Sequence, residues 1–553
     1  MKSGWIRSGI ALLAVVGLAW FLRVHDLGSY PPGLFPDEAV NGEDAISILH
    51  GDWQPFYSRN NGREGLFFYL QALLITTFGI GVWQMHLASA IVGTLTVAAI
   101  YLATQVYFGR LAGVLAALFL ATSSWHLTLS RTGFRAILIP LFLCLFTACV
   151  GQVIVAYKGK RLRTSYINAA LAGLFFAAGF YTYIAYRAMV GVVMGIIILL
   201  LLAAMHPKIG FPHVRRYGKQ TLLAVIVSLI TIAPLAIYFI QHPDEFVGRA
   251  GQVSVFSPDL QQEVGGGTLV GTLLYTTNKT LLSFFWHGDE NWRHNVAGYP
   301  LLNPLVGFLF VVGICWTIKG TWEVFWRIRH GREVHLGMVY PYLLLMFIGM
   351  MLPVITTAEG MPHALRSIGM AAPIYILAGT AGAVVLRWSF KWGAKRHVLG
   401  IVYGAAGGLL IISCVYGPLL YFMISRNTPE AAQAYRGDLT VVSAYLNARS
   451  SQHPESPKPY LFLDPFFAHT THFLAPDTYT LLDPAKDQAP LVLPGEVIIF
   501  PQLNIGDADA YGERYKARII EVESVLNRFG QEVMRVYAGK GGSDIPQEFD
   551  LDA

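Results

Sequence analysis

Long runs of apolar residues, separated by short polar linkers, make up most of the chain from Met1 to Ile424. A helix needs about 20 apolar residues to cross a bilayer, with a range of roughly 17 to 25. The pattern therefore predicts a polytopic α-helical membrane protein with about 11 spans: Ser8–Leu22, Trp83–Tyr107, Leu111–Trp125, Ala136–Tyr157, Tyr166–Ile184, Ala188–Met205, Gln220–Ile240, Leu301–Ile318, Met338–Ile355, Ile368–Leu386 and Val398–Ile424. Some runs are short, so the count can change by two while the chain still ends on the same side.

A twelfth apolar run, Leu66–Phe78, is short for a span, and the basic residues decide how we interpret it. Linkers rich in Lys and Arg stay on the cytoplasmic side, and four stand out: 158–163, 208–219, 319–332 and 387–396. With Met1–Arg7 inside and 11 spans, all four face the cytoplasm, whereas a twelfth span would move all four outside. We therefore predict that Leu66–Phe78 is a juxtamembrane or re-entrant helix in the first outer loop.

The pattern changes after Ser425. Short alternating runs, typical of strands, are separated there by Pro, Gly and Asp: Tyr460–Leu463, Tyr479–Leu482, Val497–Phe500, Ala517–Val522 and Glu532–Tyr537. Helices are predicted near Asp438–Ala448 and Pro465–Leu474. The sequence thus predicts a transmembrane domain over residues 1–424 and a small soluble α/β domain over residues 425–553, on the outer side.

The composition supports this fold class. The 553-residue chain is 54% hydrophobic and 13% charged, whereas soluble domains have about 25% charged residues. The formal net charge is +6, but the basic residues lie in linkers between spans, so they indicate orientation and not nucleic-acid binding. No small-residue cleavage site precedes Arg23, which favours an uncleaved signal anchor with a cytoplasmic N-terminus. The four cysteines lie in apolar segments, which indicates neither a disulfide framework nor a metal site: Cys144, Cys149, Cys315 and Cys414.

Two adjacent carboxylates, Asp37 and Glu38, follow the first apolar run on the outer side. Acidic residues in the first turn of a helix interact favourably with its dipole, so this pair has a purely structural interpretation. The alternative is a catalytic base, and on the local pattern alone the two interpretations are about equally good. A second charged pair, Arg63-Glu64, comes just before Leu66–Phe78.

Cationic residues reach the same outer side from separate loops: Arg131, Arg135, Arg187, His363 and Arg366. Any one of them is accounted for by contact with lipid headgroups. Five cations on the side that is normally poor in basic residues favour a site that binds a lipid-borne phosphate and holds a carboxylate nearby.

The N-terminal part of the chain, up to about Val190, carries a family resemblance. Phe35-Pro36-Asp37-Glu38, the segment Gly62 to Tyr69, Phe108-Gly109-Arg110, and the segment Ala121 to Arg131 follow one another in the arrangement of the GT-C superfamily of integral-membrane glycosyltransferases. The chain most resembles the branch of protein O-mannosyltransferases and lipid A aminoarabinose transferases. The later spans resemble the superfamily only in their layout.

The resemblance implies an inverting transfer of a sugar from a polyprenyl-phosphate donor to a hydroxyl of a glycan, lipid or protein at the non-cytoplasmic face. Asp37 is then the general base, with Glu38 beside it. Arg366 and His363, followed by Arg131, Arg135 and Arg187, are expected to bind the donor phosphate, whose charge grows as it leaves. Arg63 and Glu64 are expected to orient the acceptor or the sugar.

One departure from the superfamily bears on metal ions. Many relatives have an acidic residue in the second outer loop, whereas the segment Ser123–Arg135 contains no Asp or Glu. This weakens the case for a divalent metal ion shared between the first two loops, and we expect transfer without a metal or another cofactor. In the C-terminal domain, His469 and His472 share a helix face, but the sequence shows no third ligand beside them.

Two other functions remain open on the sequence alone. A multi-span transporter or flippase of a lipid-linked or anionic substrate is disfavoured because the spans contain no acidic residues and the chain shows no internal repeat. A structural or assembly protein, in which residues 426–553 are the working part, is the third candidate. Short loops and sparse cysteines favour a prokaryotic plasma membrane.

Overall fold

The computed structural model describes residues 2–60, 62–210, 216–247, 254–357, 360–395 and 397–541. Parts of some predicted segments therefore lie outside the described residues: Met1 of the N-terminal segment, 211–215 and 396 in two basic linkers, and 542–553 in the C-terminal domain. The α-helices up to the last apolar one are α1 Lys2–Val24, α2 Pro36–Leu49, α3 Leu66–Phe78, α4 Val82–Phe108, α5 Arg110–Ala121, α6 Ser124–Leu129, α7 Leu138–Lys158, α8 Leu162–Ala178, α9 Met189–Met205, α10 Gly218–Gln241, α11 Pro243–Val247, α12 Pro258–Val264, α13 Leu269–Ser283, α14 Pro304–Arg329, α15 Val339–Ile355, α16 Ala371–Lys395 and α17 Leu399–Leu419. Helices α18 Pro429–Ala434, α19 Gly437–Gln452, α20 Pro465–Leu474 and α21 Ile505–Tyr515 follow.

Within the described residues, eight helical segments are long and apolar enough to cross a membrane: Val82–Phe108, Arg135–Lys158, Ile184–Met205, Gly218–Gln241, Pro304–Arg329, Leu336–Ile355, Arg366–Ala394 and Leu399–Asn427. They coincide with eight of the 11 predicted spans. The other three predicted spans fall on the shorter apolar segments Ser8–Val24 and Arg110–Ala121 and on α8. The protein is thus an integral membrane protein with the predicted helical fold class, and the total of 11 spans stays a prediction.

The segment Leu66–Phe78 is a helix of 13 residues. At about 1.5 Å per residue it is about 20 Å long, which is less than the roughly 30 Å of a bilayer core. Its length fits a juxtamembrane or re-entrant helix.

The chain forms two compact units. The first consists of Met1–His25, Trp53–Phe67 and Leu87–Ser425, and the second of Asp26–Asp52, Phe68–His86 and Arg426–Ala553. In the first unit, small residues let helices approach closely, as is usual between membrane helices. A Cβ on Gly379 of α16 would lie 2.5 Å from the backbone nitrogen of Ala116 in α5, and one on Gly173 of α8 would lie 2.2 Å from the Ala224 carbonyl oxygen of α10.

The second unit contains a five-stranded mixed sheet. Its strands are β3 Tyr460–Phe462, β4 Thr480–Leu482, β5 Val497–Pro501, β6 Ile519–Leu526 and β7 Glu532–Gly539, and their spatial order is β4-β3-β5-β7-β6. Strand β3 is parallel to β4 and β5, and β7 is antiparallel to β5 and β6. Side chains alternate between the two faces: Val497 and Ile499 belong to the core that includes α19 residues, whereas Ile498 and Phe500 pack with Tyr511 of α21. The small α/β fold predicted near the C-terminus is therefore present.

Helix α2, which carries the acidic pair, packs against α20 within the second unit. A Cβ on Gly42 would lie 2.4 Å from the ring of Phe473, so this contact requires glycine. The Thr470 hydroxyl donates a hydrogen bond to the Leu34 carbonyl oxygen at 2.9 Å, and the rings of Phe35 and Phe466 lie 6.0 Å apart. The start of α2 and the residues just before it are thus held against α20 of the α/β fold.

Candidate active-site residues

Asp37 lies in the first turn of α2, where Pro36 fixes the backbone at the first helical position. Its side chain is half-buried. The neighbouring Glu38 is fully buried. Consecutive residues of a helix point about 100° apart, so the two adjacent acids have different surroundings.

Glu38 has the contacts of a helix-capping residue. Its Oε2 accepts a hydrogen bond from the Phe35 backbone N–H at 3.0 Å, as the glutamate of a capping box does at the start of a helix. Its Oε1 lies 3.3 Å from Nε2 of the buried His86. These contacts favour a structural role, so Asp37 is the better candidate for a base.

Glu43, further along α2, faces two histidines of α20. Its Oε1 lies 3.0 Å from Nδ1 of His469 and 3.2 Å from Nδ1 of His472. Burial raises the pKa of Glu43, but the hydrogen bonds and charges of the two histidines outweigh burial and leave the pKa below its ordinary value. The predicted histidine pair therefore shares a helix face, and Glu43 is the third group beside it.

A second group lies in the first unit, around the short hairpin of β1 Phe56–Tyr57 and β2 Arg63–Glu64. Glu64 is buried, and its two carboxylate oxygens lie 3.4 Å from Nε of Arg135 and 4.0 Å from a guanidinium nitrogen of Arg187. Arg187 also donates to the Phe246 carbonyl oxygen at 2.8 Å. Three of the predicted site residues, from three separate segments, are thus brought together.

Arg63 is also buried, and its Nε donates a hydrogen bond to the Arg59 carbonyl oxygen at 3.2 Å. This bond lies within the loop of the hairpin. It fixes the turn that presents Glu64.

Arg131 has a different environment from the other predicted cations. It is fully buried and donates to the carbonyl oxygens of Leu22 and Arg23 at the end of α1, at 3.0 and 2.9 Å. Its guanidinium also lies over the rings of Tyr421 and Phe422. A cation at a helix C-terminus stabilises that end, so these contacts favour a structural role over phosphate binding.

The predicted pair His363 and Arg366 lies in a turn that leads into α16, in the first unit. Arg366 is buried, and its NH1 donates to the Thr357 hydroxyl at 3.1 Å. The peptide of Ala364 in this turn is held on both sides: its N–H donates to Asp289 Oδ2 at 2.7 Å, and its carbonyl oxygen accepts from Trp125 Nε1 at 3.0 Å. The position of Arg366 is therefore fixed by residues far away in the sequence.

Asp289 and His294 are functional candidates that the sequence analysis did not single out. Both are buried. Asp289 Oδ2 lies 3.2 Å from Nδ1 of His294, and the His294 ring stacks on the ring of His363 with centroids 4.8 Å apart. In the sequence, these two residues stand out only as part of a polar run that follows the apolar stretch ending at Phe285. Nothing in that run indicates a contact with the distant loop that carries His363.

Burial lowers the pKa of His294, and the positive charges of Arg293 and Arg366 act in the same direction. The hydrogen bond and charge of Asp289 act the other way, but they do not outweigh burial. The net effect lowers the pKa of His294 and so favours its neutral form.

Residues 65–238 match the family described as dolichyl-phosphate-mannose-protein mannosyltransferase. No curated protein matches the chain significantly. Among solved structures, ArnT from Cupriavidus metallidurans bound to undecaprenyl phosphate is similar over 97% of this chain and 98% of that chain, with 14% identity and a TM-score of 0.53. The archaeal oligosaccharyltransferase AglB from Archaeoglobus fulgidus, in complex with an inhibitory peptide and a dolichol-phosphate, is similar over 99% of this chain and 75% of that chain, with 13% identity and a TM-score of 0.50.

At these identities the two structures establish the fold, and the family match adds a relationship over residues 65–238. Together they confirm the predicted resemblance to the GT-C glycosyltransferases, and with it the expectation of an enzyme of this class.

Proposed function

We propose that this GT-C protein transfers a sugar from a polyprenyl-phosphate donor to a hydroxyl acceptor at the non-cytoplasmic face of the membrane. The match of residues 65–238 to a mannosyltransferase family that uses a dolichyl-phosphate donor carries this proposal. The lipid phosphates bound to ArnT and AglB, which share the fold over nearly the whole chain, support a lipid-linked donor.

In the proposed reaction Asp37 is the general base. Its carboxylate accepts the proton of the acceptor hydroxyl as the oxygen attacks the anomeric carbon. The bond between that carbon and the phosphate oxygen breaks on the opposite face of the sugar, so the configuration inverts and polyprenyl phosphate leaves. The half-buried state of Asp37 supports this role, because a base must reach both solvent and substrate.

The leaving phosphate gains negative charge, and fixed cations stabilise that change. Arg366 is the first candidate because it is buried and held in place before substrate binds. His363 accompanies it in the same turn. Arg135 and Arg187 are also candidates, but both already face Glu64, so we assign Glu64 the role of orienting them. Arg131 is the weakest candidate, since its hydrogen bonds to the end of α1 join helices.

The decisive experiment compares cell-envelope glycans and lipids by mass spectrometry in a deletion strain, in the strain complemented with the wild type, and in the strain complemented with Asp37→Asn. We expect the deletion and Asp37→Asn to lack the same sugar modification, because loss of a general base costs about 10²- to 10⁴-fold in rate. Asp52→Asn is the matched control: it makes the same change at an exposed acid after α2 and should restore the modification. Unchanged glycans and lipids in the deletion strain would refute the proposal.

We also propose that transfer needs no Mg²⁺ or Mn²⁺, since the segment Ser123–Arg135 offers no carboxylate to share such an ion with the first outer loop. The measurement is transfer by membranes after treatment with EDTA. Restoration of lost activity by Mg²⁺ or Mn²⁺, but not by Zn²⁺, would contradict this part of the proposal.

A further inference from the structure

Asp289, His294 and His363 form a cluster of metal-ligating side chains in the first unit. One ligand atom from each residue can be chosen so that all three lie within 4.8 Å of one another. Asp289 and His294 come from the segment between α13 and α14, and His363 comes from the turn before α16. An ion bound here would therefore join two outer segments that lie far apart in the chain.

The donor set indicates which ions fit. Two imidazoles and one carboxylate are typical ligands of Zn²⁺ and similar transition metals, whereas Mg²⁺ and Ca²⁺ prefer oxygen ligands. Ligands at about 2.0–2.1 Å from a tetrahedral Zn²⁺ lie about 3.3 Å from each other. The observed distance of 3.2 Å between Asp289 Oδ2 and His294 Nδ1 already matches this value.

The remaining ligand, His363, is the most accessible of the three. Its ring lies against the ring of His294 at an interplanar angle of 21°. A movement of its ring nitrogen on the order of 1 Å brings it to a ligating distance, and a side chain at a partly exposed position can make that movement by rotation.

The surroundings of the cluster also matter. The backbone N–H groups of Asn291 and Ala364 donate to the two oxygens of Asp289 at 2.8 and 2.7 Å, which orients the carboxylate as outer hydrogen bonds do in metal sites. Arg293 and Arg366 add positive charge near His294. They oppose a divalent cation, so we expect weaker binding than at a closed structural zinc site.

We propose that Asp289, His294 and His363 bind one Zn²⁺-class transition-metal ion that fixes the turn carrying Arg366. The ion has a positioning role in this proposal. Binding does not depend on the proposed sugar transfer, so the two can be tested separately.

The test uses the full-length protein, purified in detergent through an affinity tag without histidine, stripped with EDTA and titrated with Zn²⁺ alone. Calorimetry and elemental analysis after gel filtration measure the bound metal. We expect one equivalent with a Kd of about 1 µM or tighter. His294→Gln and His363→Gln should each lower the affinity at least about 10-fold, which is the size of effect seen even for outer-shell changes in metal sites.

The matched control is His287→Gln, because His287 is an exposed histidine of the same segment that pairs with Glu290 at 2.7 Å. His287→Gln should still bind one equivalent of Zn²⁺ with the affinity of the wild type. His472→Gln, which changes the histidine pair of α20, should also bind Zn²⁺ as the wild type does. If either control removes the tight equivalent, or if His294→Gln and His363→Gln bind Zn²⁺ as the wild type does, the proposal fails.

Two further measurements keep the result interpretable. Co²⁺ bound to the wild type should give the strong visible absorption of a four- or five-coordinate ion, a readout that needs no variant to fold; the weak spectrum of a six-coordinate ion would refute the site. Asp37→Asn should bind Zn²⁺ as the wild type does, although it is expected to be inactive. A loss of metal binding in Asp37→Asn would contradict the assignment, whereas a loss of activity alone concerns only the proposed function.

Discussion

At the scale of single residues, the acidic pair at the start of α2 shows how neighbouring carboxylates acquire different chemistry. Glu38 is buried, accepts a hydrogen bond from the Phe35 backbone N–H at the start of the helix and lies beside His86. Asp37 is one residue earlier on the helix and half-buried. A carboxylate that completes a cap loses stabilising contacts if it moves, whereas a base must exchange its proton with substrate and solvent. The pair thus supplies one fixed acid and one accessible acid.

Arg366 provides a residue-scale prediction for phosphate binding. We expect Arg366→Ala to lower the rate of transfer about 10²- to 10³-fold, the usual cost of removing one donor that stabilises developing charge. Arg366→Lys should recover part of the loss, because it keeps the charge but not the planar fork of donors. The rate is measured in membranes with the donor identified from the deletion strain.

The control for this prediction is Arg332→Ala, which removes an exposed arginine from a linker predicted to be cytoplasmic. It should leave the rate unchanged. Transfer by Arg366→Ala within about twofold of the wild type would rule out a role for Arg366 in stabilising the phosphate, since twofold corresponds to only about 0.4 kcal/mol.

At this scale the amino-acid sequence locates the charged residues but carries no information about their hydrogen-bond partners. Arg131 and Arg366 both follow the simple pattern of a cation at the end of an apolar run. In the structure, Arg131 donates hydrogen bonds to carbonyl oxygens at the end of α1, whereas Arg366 donates one to the hydroxyl of Thr357. A hydrogen-bond partner 108 residues away leaves no trace in the local pattern.

At the scale of elements, the contact between α2 and α20 is set by Gly42. A methyl group at this position would lie 2.4 Å from the ring of Phe473, which is itself only 2% exposed. We expect Gly42→Ala to destabilise the protein by about 1–3 kcal/mol through overpacking, and to lower the melting temperature in detergent.

Gly506→Ala is the control for this experiment, because Gly506 lies in α21 with no atom within 4 Å of the added methyl group. Alanine in a helix is favoured over glycine by about 0.5–1 kcal/mol, so this variant should melt at the same or a slightly higher temperature. A melting temperature of Gly42→Ala equal to that of Gly506→Ala would mean that α2 and α20 do not pack as described.

The same pair of helices should respond to acid through Glu43. Its pKa is lowered in the folded protein by His469 and His472 against the effect of burial. A lowered carboxylate pKa contributes stability above the ordinary pKa of about 4.5 and loses it as the pH falls through the folded value. We therefore expect the wild type to be more stable than the variant His469→Gln/His472→Gln at pH 6, with the difference shrinking as the pH is lowered below about 4.5.

Melting curves of the two proteins at pH 6, 5 and 4 measure this difference. A variant with Glu43→Gln in addition serves as the reference, because it lacks the titrating group. A stability difference that is constant over this range would show that Glu43 and the histidines are not coupled.

The elements themselves were largely predictable because their periodicity is strong. Helix α20 has the predicted bounds, and β5 and β7 differ from the predictions by one or two residues. Helix α21 was missed because Asp507 and Asp509 give it a polar sequence and only Ala508 and Tyr511 are buried. Strand β6 runs four residues beyond its predicted end, past an irregularity between Glu521 and Glu523 that interrupts the alternation.

At the scale of the whole molecule, the predicted division at residues 424/425 rests on a change of composition, whereas compactness depends on contacts. The second unit also includes Asp26–Asp52 and Phe68–His86. For Asp26–Asp52, this follows from contacts with C-terminal residues, such as that of Gly42 with Phe473 and that of Asp26 with Arg426. Apolar periodicity indicates which face of a segment is buried, but it does not indicate which other segment covers that face. It therefore cannot predict a unit that is built from three separate stretches of the chain.

Topology is the molecular property on which the proposed function depends, because the proposed reaction uses a polyprenyl-linked donor on the non-cytoplasmic side. The positive-inside pattern predicts a cytoplasmic linker at residues 319–332 and an outer C-terminal domain. We expect Lys458→Cys to react with a membrane-impermeant thiol reagent in intact cells, and Arg332→Cys to react only after the membrane is opened. Both positions are exposed, and the background replaces the four native cysteines, which lie in apolar segments. The reverse pattern would place Asp37 in the cytoplasm, because an odd number of predicted spans separates Asp37 from Arg332 and an even number separates it from Lys458. The proposed donor chemistry would then have to be abandoned even if the enzyme class were retained.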